Sequence, residues 1–377
     1  MKRDLFGPDH ELFRDNVRRF LREHVEPNIP AWEERGGFDH AVFGHAGAAG
    51  LLCPTVPEAY GGPGADLMYS AVVLEEAAPF SNFGLSLTMH SEIVTNYILH
   101  HASEHLKQTW LPGMVSGEAI GALAMTEPAG GSDVKAVATT AVRQGSDFLL
   151  NGSKTFISNA TVCDLVIVVA KTDPAAGARG ISLLVVDASL PGVTKGKPLK
   201  KIGLKSQDTG ELFFENVLVP GDSLLGEENR GFGYLMQELP WERLQLAVSA
   251  VAAAQAAYGW TVDYVRERRA FGQAVVDFQN TRFVLADVKT EIELGRTFVD
   301  RCLVLLMRGE LDAQAASMAK LWCSEMQGRV VDACVQLHGG YGFMAEYPIA
   351  RAYVDARAQR IYGGTNEIMK ELIARDL

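Results

Sequence analysis

Cysteine is scarce in this 377-residue sequence: Cys53, Cys163, Cys302, Cys323 and Cys334 are odd in number, scattered, and never spaced as CxxC. That excludes a disulfide framework and leaves packing thiols suited to a reducing compartment. Long apolar runs are also missing. The nearest, over 246–260, is Ala-rich and broken by Ser and Gln, short of the ~18 apolar residues a membrane span needs. The N-terminus turns acidic at once and has no apolar signal core, so the cytoplasm is the expected location. Basic charge is in deficit, with 35 Lys and Arg against 46 Asp and Glu, a net charge of −11. A broad nucleic-acid surface needs the opposite balance. No βαβ alternation and no GxGxxG after a strand point to a nicotinamide-binding Rossmann sheet. Hydrophobic residues make up 47% and charged residues 21%, the polarity of a globular chain with a sizeable core.

Hydrophobic periodicity divides the chain into three. Phe13, Val17, Phe20, Leu21 and Val25 recur at helical spacing, and Pro27 and Pro30 are expected to close that helix. Further helices are predicted over 68–78 and 93–111. From Gly121 the texture becomes strand-like, with strands predicted at 139–143, 165–170, 181–186 and 212–219 and a turn at Asn151-Gly152. Helices return after Gly231. Val284, Val288, Ile292, Gly295 and Val299 mark one face of a long helix, Gly309 is a stop, and two more helices run over 312–337 and 365–374. The fold class is therefore α+β: a helical domain over 1–120, a middle β domain over 121–225 and a helical domain over 226–377.

Several motifs carry possible chemistry, each with a plainer reading beside it. TEPAGGSD, residues 126–133, is either a turn or a loop whose backbone N–H groups face a phosphate or a polar ring. QLHGGYGF, 336–343, is a helix end or a site of close backbone approach. In IYGGTNEIMK, Thr365 can cap the helix that follows. RERRAFG, 266–272, is a solvated run or a diphosphate grip. Glu242 beside Trp241 reads either as an exposed first-turn acid or as a desolvated base. His101 and His105 share a helical spacing, but no second ligand cluster accompanies them, so no metal site is expected.

Taken in order, TEPAGGSD, NGSKTFISNA, GLKSQDTGELFFENV, LLGEENRGF, ERLQLA, RERRAFG, QLHGGYGF and IYGGTNEIMKELIAR resemble the acyl-CoA dehydrogenase family over essentially the whole chain. The resemblance is strongest to its long-chain branch. It implies a C-terminal four-helix bundle, an FAD cofactor, a homotetramer, and dehydrogenation of a medium- to long-chain acyl-CoA to the trans-2-enoyl-CoA. Electrons then go to an electron-transfer flavoprotein. Met125, Thr126 and Ser132 are implied at the flavin, with Phe156 and Ser158 lining its ring. Arg268, Phe271, Gln279, Gln336, Leu337, His338, Gly339 and Gly340 are implied to reach a neighbouring subunit's FAD. Thr365, Asn366 and Glu367 fall near the diphosphate and adenosine end. Ser132, Arg243, Tyr362 and Gly364 border acyl-CoA.

Many members carry the catalytic glutamate just before Gly-Thr near the C-terminus, and here that place is Gly363. The long-chain branch carries it at the place Glu242 occupies. The resemblance therefore implies Glu242 as the base and the Gly363 backbone N–H as a donor to the thioester carbonyl. Small Ser86, Thr88 and Ser91 are expected to open a deep acyl channel. Two other functions remain open: dehydrogenation of an acyl-carrier-protein thioester, and an inactive flavin-binding scaffold.

Overall fold

The computed structural model describes residues 3–375, and of residues 81–83 the backbone alone. Helix α1 (Pro8–Phe20) does not end at the prolines. It runs on through a π-helical turn at Leu21–Val25 and a 3-10 turn at Glu26–Asn28 into α2 (Ile29–Arg35). Pro27 and Pro30 each sit in the first turn of a new segment, where a missing N–H costs nothing. After α3 (Ala41–Ala48), α4 (Leu67–Ala77) starts where Asp66 accepts a hydrogen bond from the Met68 N–H at 2.8 Å. Then come α5 (Ser81–Thr88), α6 (Thr95–His101) and α7 (Glu104–Ser116). The helix expected over 93–111 is thus two helices, because the Ser103 hydroxyl caps α7 through the Leu106 N–H.

The middle of the chain is a seven-stranded sheet. Its strands are β1 (Gly121–Ala124), β2 (Thr140–Gln144), β3 (Asp147–Ser158), β4 (Leu165–Lys171), β5 (Ile181–Asp187), β6 (Val193–Lys195) and β7 (Thr209–Val219). Their order is β1-β4-β2-β3-β7-β6, with β5 paired to β4. Strands β4 and β5 are buried along almost their whole length, which is why they read as unbroken apolar runs. Asn151-Gly152 is not a turn; it lies inside β3 at a shift in register against β7. A Cβ on Gly152 would stand 2.4 Å from the Thr139 Oγ1, so the glycine permits a bulge against a close neighbour. The hairpin turn falls earlier, at Gly145, whose φ is +66°.

The C-terminal part begins with α8 (Gly231–Glu267), 37 residues long. A small hairpin, β8 (Arg269–Ala270) and β9 (Gln273–Ala274), follows it. Then come α9 (Gln279–Met307), α10 (Ala313–His338), α11 (Pro348–Ala356) and α12 (Asn366–Ala374). Val288, Ile292, Gly295 and Val299 are buried on one face of α9. The bundle has three long helices, and the short α11 and α12 both pack on α10. One apolar core joins α4 to this bundle through Met68, Ala71 and Leu74. Beside it, the buried Glu75 carboxylate gathers Arg3, Arg14 and Arg296 at 2.8–2.9 Å. No helix among the described residues is long and apolar enough to cross a membrane.

Candidate active site

Glu242 lies three turns into α8, not in a first turn, and is 8% exposed. Trp241 and Leu244 on either side belong to the bundle core, so the carboxyl group is carried into a dry place. Its Oε1 accepts a hydrogen bond from the Tyr97 hydroxyl of α6 at 2.9 Å. Burial pushes its pKa up to about 7, the Tyr97 hydroxyl pulls it down, and nearby Glu238 adds to the rise. A carboxylate in that range is half ionised near neutrality, the state a general base needs.

One turn beyond, Leu246 lines a narrow groove of about 30 Å³ between α4, α5, α8 and the C-terminal loop. Val73, Leu74, Ala77 and Leu85 give it apolar walls, and Ser249, Thr88, Gln359 and Tyr362 add polar groups. Of the small residues expected to open a channel, Thr88 reaches this groove. Ser86 turns its hydroxyl to Gln207 at 2.8 Å, and Ser91 is buried apart from the groove lining.

Gly363 meets Leu246 directly. Its φ is +64°, and a Cβ there would fall 2.3 Å from the Leu246 Cδ1. The next carbonyl, of Gly364, accepts from the Lys320 Nζ at 2.8 Å. That ammonium also donates to the Asn366 Oδ1 at 2.8 Å, and burial lowers its pKa to about 8. Thr365 caps α12 through the Ile368 N–H, and Glu367 is exposed beside it. Asn366 is turned inward: its amide N–H groups go to Ser324 and Glu325, and its oxygen to Lys320. Its side chain is spent on holding α12 to α10 and leaves no atom for a cofactor. Arg243 is 6% exposed, touches the Ser317 hydroxyl at 3.4 Å, and keeps an Nε without a partner among the described residues.

The β domain supplies a second wall. The Thr155 N–H donates to the Thr126 carbonyl at 3.0 Å, placing Thr126 next to Phe156. Phe156 has a φ of +58° and is 68% exposed, an aromatic held in a costly conformation and offered outward. Ser158 pairs with Thr209 of β7. Lys154, fully buried, pins this wall by donating to Glu127 at 2.8 Å, the Val169 carbonyl at 2.7 Å and the Met125 carbonyl at 3.2 Å. In the glycine loop, Glu127 and Gly130 exchange both backbone hydrogen bonds, so those two N–H groups face no ligand. Ser132 lies exposed just after them.

Arg268, Phe271 and Gln279 lie elsewhere. Arg268 ends α8, 26 residues beyond Glu242, about 39 Å of helix. Its guanidinium sits over the Tyr341 ring at 5.4 Å, with no carboxylate at salt-bridge distance among the described residues. Phe271 is 97% exposed. Gln336, Gly339 and Gly340 are exposed and Leu337 half-buried near this end, whereas the His338 ring stacks on Tyr264 at 4.3 Å and bonds the Cys334 carbonyl. Within one chain these residues do not meet the Glu242 cluster.

Three contributors, Tyr97, Lys320 and Glu238, were missed by motif reading. Tyr97 and Lys320 sit in helical stretches with no local signal. Glu238 had one, its i, i+4 spacing to Glu242. The histidines also regroup: His100 and His101 both bond Glu238, whereas His105 lies 3.6 Å from Asp222, since the chain breaks between α6 and α7.

A buried carboxyl group of raised pKa beside an apolar groove and the Gly363–Gly364 loop is an arrangement suited to proton transfer at an apolar substrate. Models of the acyl-CoA dehydrogenase N-terminal, middle and C-terminal domains match residues 7–118, 122–217 and 229–377. The pig mitochondrial long-chain specific acyl-CoA dehydrogenase is 51% identical over 377 residues, spanning 100% of this chain and 88% of that one. The crystal structure of an acyl-CoA dehydrogenase from Geobacillus kaustophilus superposes with a TM-score of 0.97 at 47% identity, covering 100% and 99% of the two chains. An acyl-CoA dehydrogenase complexed with FAD from Bacillus anthracis superposes at 0.94 with 32% identity, covering 99% of this chain and 67% of that one. The chain belongs to the acyl-CoA dehydrogenase family, and its activity is acyl-CoA dehydrogenation.

Proposed function

We propose that the substrate is a medium- to long-chain acyl-CoA, that the cofactor is FAD, and that Glu242 is the base. The observation that carries this reading is the carboxyl group of Glu242, desolvated, half ionised near neutrality and one turn from the groove-lining Leu246, opposite a loop residue with no side chain of its own. The chain's residues fit the flavin. Phe156 is an exposed aromatic beside Thr126, while Arg243, whose buried Nε has no partner among the described residues, is kept for the acyl-CoA. Arg268, with no carboxylate at salt-bridge distance among the described residues, is a fork suited to a diphosphate. Bound there, FAD supplies the acceptor for the β-hydride.

The residues of this chain do the rest. The narrow groove widens to take the acyl tail, which displaces water and strengthens the polar contacts inside. The Gly363 backbone N–H stabilises charge developing on the thioester oxygen, and Lys320 fixes the loop that carries it. Glu242 removes the α-proton, so the substrate loses one proton and one hydride and gains a trans double bond. Tyr97 holds the carboxylate in one orientation while it does so.

The roughly 39 Å between Glu242 and Arg268 supports a site completed by another subunit, hence a homo-oligomer, a tetramer in this reading. An electron-transfer flavoprotein would be the partner that takes up the electrons. All five cysteines are free and buried, which suits a cytoplasmic setting. Anaerobic mixing of the yellow holoprotein with acyl-CoAs of increasing chain length tests the proposal. Bleaching that is fastest for medium or long chains is expected. A flavin that no acyl-CoA bleaches would identify a scaffold, and bleaching by carrier-protein thioesters alone would move the substrate class.

A further inference from the structure

Helices α6 and α8 meet through two matched pairs. On α8, Glu238 and Glu242 are one turn apart; on α6, Tyr97 and His101 are one turn apart. Tyr97 donates to Glu242 at 2.9 Å, and His101 meets Glu238 at 2.8 Å. His100 adds a second contact to the same Glu238 oxygen at 2.9 Å. The arrangement is a two-rung ladder in antiparallel register. Its inner rung is the base and its outer rung ends in His100, whose side chain is half exposed.

We propose that Glu238, with His100 and His101, is the positioning element of the base: it fixes α6 so that Tyr97 meets Glu242, and its charge sets the pH range in which Glu242 accepts a proton. This rests on Glu242 being the base. Residues one turn apart on a helix stand about 6 Å apart at their Cβ atoms, and in a dry interior that distance transmits charge well. An ionised Glu238 makes Glu242 hold a proton more tightly and so strengthens it as a base. The two imidazoles keep Glu238 ionised, with its pKa down at about 2 against the penalty of burial, while limiting how much negative charge reaches Glu242. Glu238 in turn favours the charged form of His100.

The other groups facing this ladder are few. Arg243, next on α8, opposes Glu238 at the base. Lys107 of α7 disfavours a charge on His100. Tyr234 stacks on His101 at 4.4 Å, and the His105–Asp222 pair lies at the rim, both members well exposed.

The test is a titration of Glu242 in the oxidised holoprotein without substrate. Infrared difference spectra follow the protonated-carboxyl band that disappears in Glu242→Gln. Glu238→Gln should move the midpoint to lower pH, and His100→Gln to higher pH, each by roughly half a unit or more. In the Glu238→Gln background, His100→Gln should move it little, because His100 draws its charge from Glu238. The pH profile of flavin reduction by saturating palmitoyl-CoA should shift in the same directions. Midpoints that stay put in both variants, or move the same way, overturn the proposal even if stability or KM changes. An infrared midpoint that shifts as expected in a protein that no acyl-CoA reduces would sink the base assignment and leave the ladder standing.

Discussion

Replacing Glu242 by Gln removes the proposed base while leaving its surroundings intact. The amide oxygen still accepts the Tyr97 hydrogen bond, and the volume is unchanged, so fold and FAD should be retained. Losing a general base costs ~10²–10⁴-fold, about 2.7–5.5 kcal/mol of barrier, and an unactivated α-carbon belongs at the upper end. Moving the base to the loop is the sharper test. In Glu242→Gly with Gly363→Glu, the new side chain must accept a φ of +64°, at about 1–2 kcal/mol. Its Cβ also enters the space of the Leu246 Cδ1, 2.3 Å away, an overpacking of about 1–3 kcal/mol. The relocated carboxylate should therefore sit off target, and a misplacement of about 1 Å costs ~10²-fold. Adding Leu246→Ala frees that space and should raise the rate by roughly tenfold or more over the double variant. Rapid anaerobic mixing with palmitoyl-CoA, following flavin bleaching, measures all four proteins. A Glu242→Gln protein that bleaches at nearly the wild-type rate refutes the base assignment. A triple variant no faster than the double one refutes the steric account of Gly363.

Three further outcomes are expected. Glu242 ionises near pH 7 when folded but near its ordinary value of about 4.5 when unfolded, so the unfolded chain holds fewer protons between those limits and native stability falls as pH rises through them. Glu242→Gln should therefore be more stable than wild type at pH 8, by on the order of 3 kcal/mol, and the gain should vanish near pH 4; thermal melts across pH check it. Lys154→Met leaves the buried Glu127 carboxylate without its cation and should cost about 3–5 kcal/mol, read by urea unfolding, with FAD loosened alongside. Arg268→Ala should weaken FAD retention more than Arg268→Lys, which keeps charge but loses the fork; equilibrium dialysis of FAD against the intact oligomer measures it.

The order of helices, sheet and helices was readable from periodicity because each block buries one face over many residues. Places where one residue has two uses were not. Pro27 and Pro30 stop a helix or begin one, and only the chain's path shows that they begin. Asn151-Gly152 suits a turn or a bulge, and the nearness of Thr139 decides. Glu242 looked ordinary because its dryness comes from Trp241, Leu244 and Tyr97, two of them neighbours in sequence and one 145 residues away. The motifs around Arg268 and Gln336 were easy to find, but it was the family resemblance, not their local pattern, that assigned them to a neighbouring subunit's site. The inward turn of Asn366 follows from Lys320 and Ser324, which no local pattern links to it.

Helix α8 carries Glu242, the proposed base, and also forms the spine of the bundle core. Ala247, Val248, Ala250, Val251 and Ala254, directly after Glu242 and Arg243, are fully buried. Regions that open easily have few buried contacts and many solvent-exposed hydrogen bonds; this stretch has the reverse. The Glu242 carboxyl group is thereby carried on a stretch of backbone expected to exchange slowly, and motions that admit substrate are expected instead at the loop around Gly363 and Gly364. A deuterium-exchange map should show protection close to the global unfolding limit at residues 241–254 and rapid labelling at 361–365. Loss of activity on heating would then report the collapse of the whole bundle, with no earlier phase in which the base alone is lost.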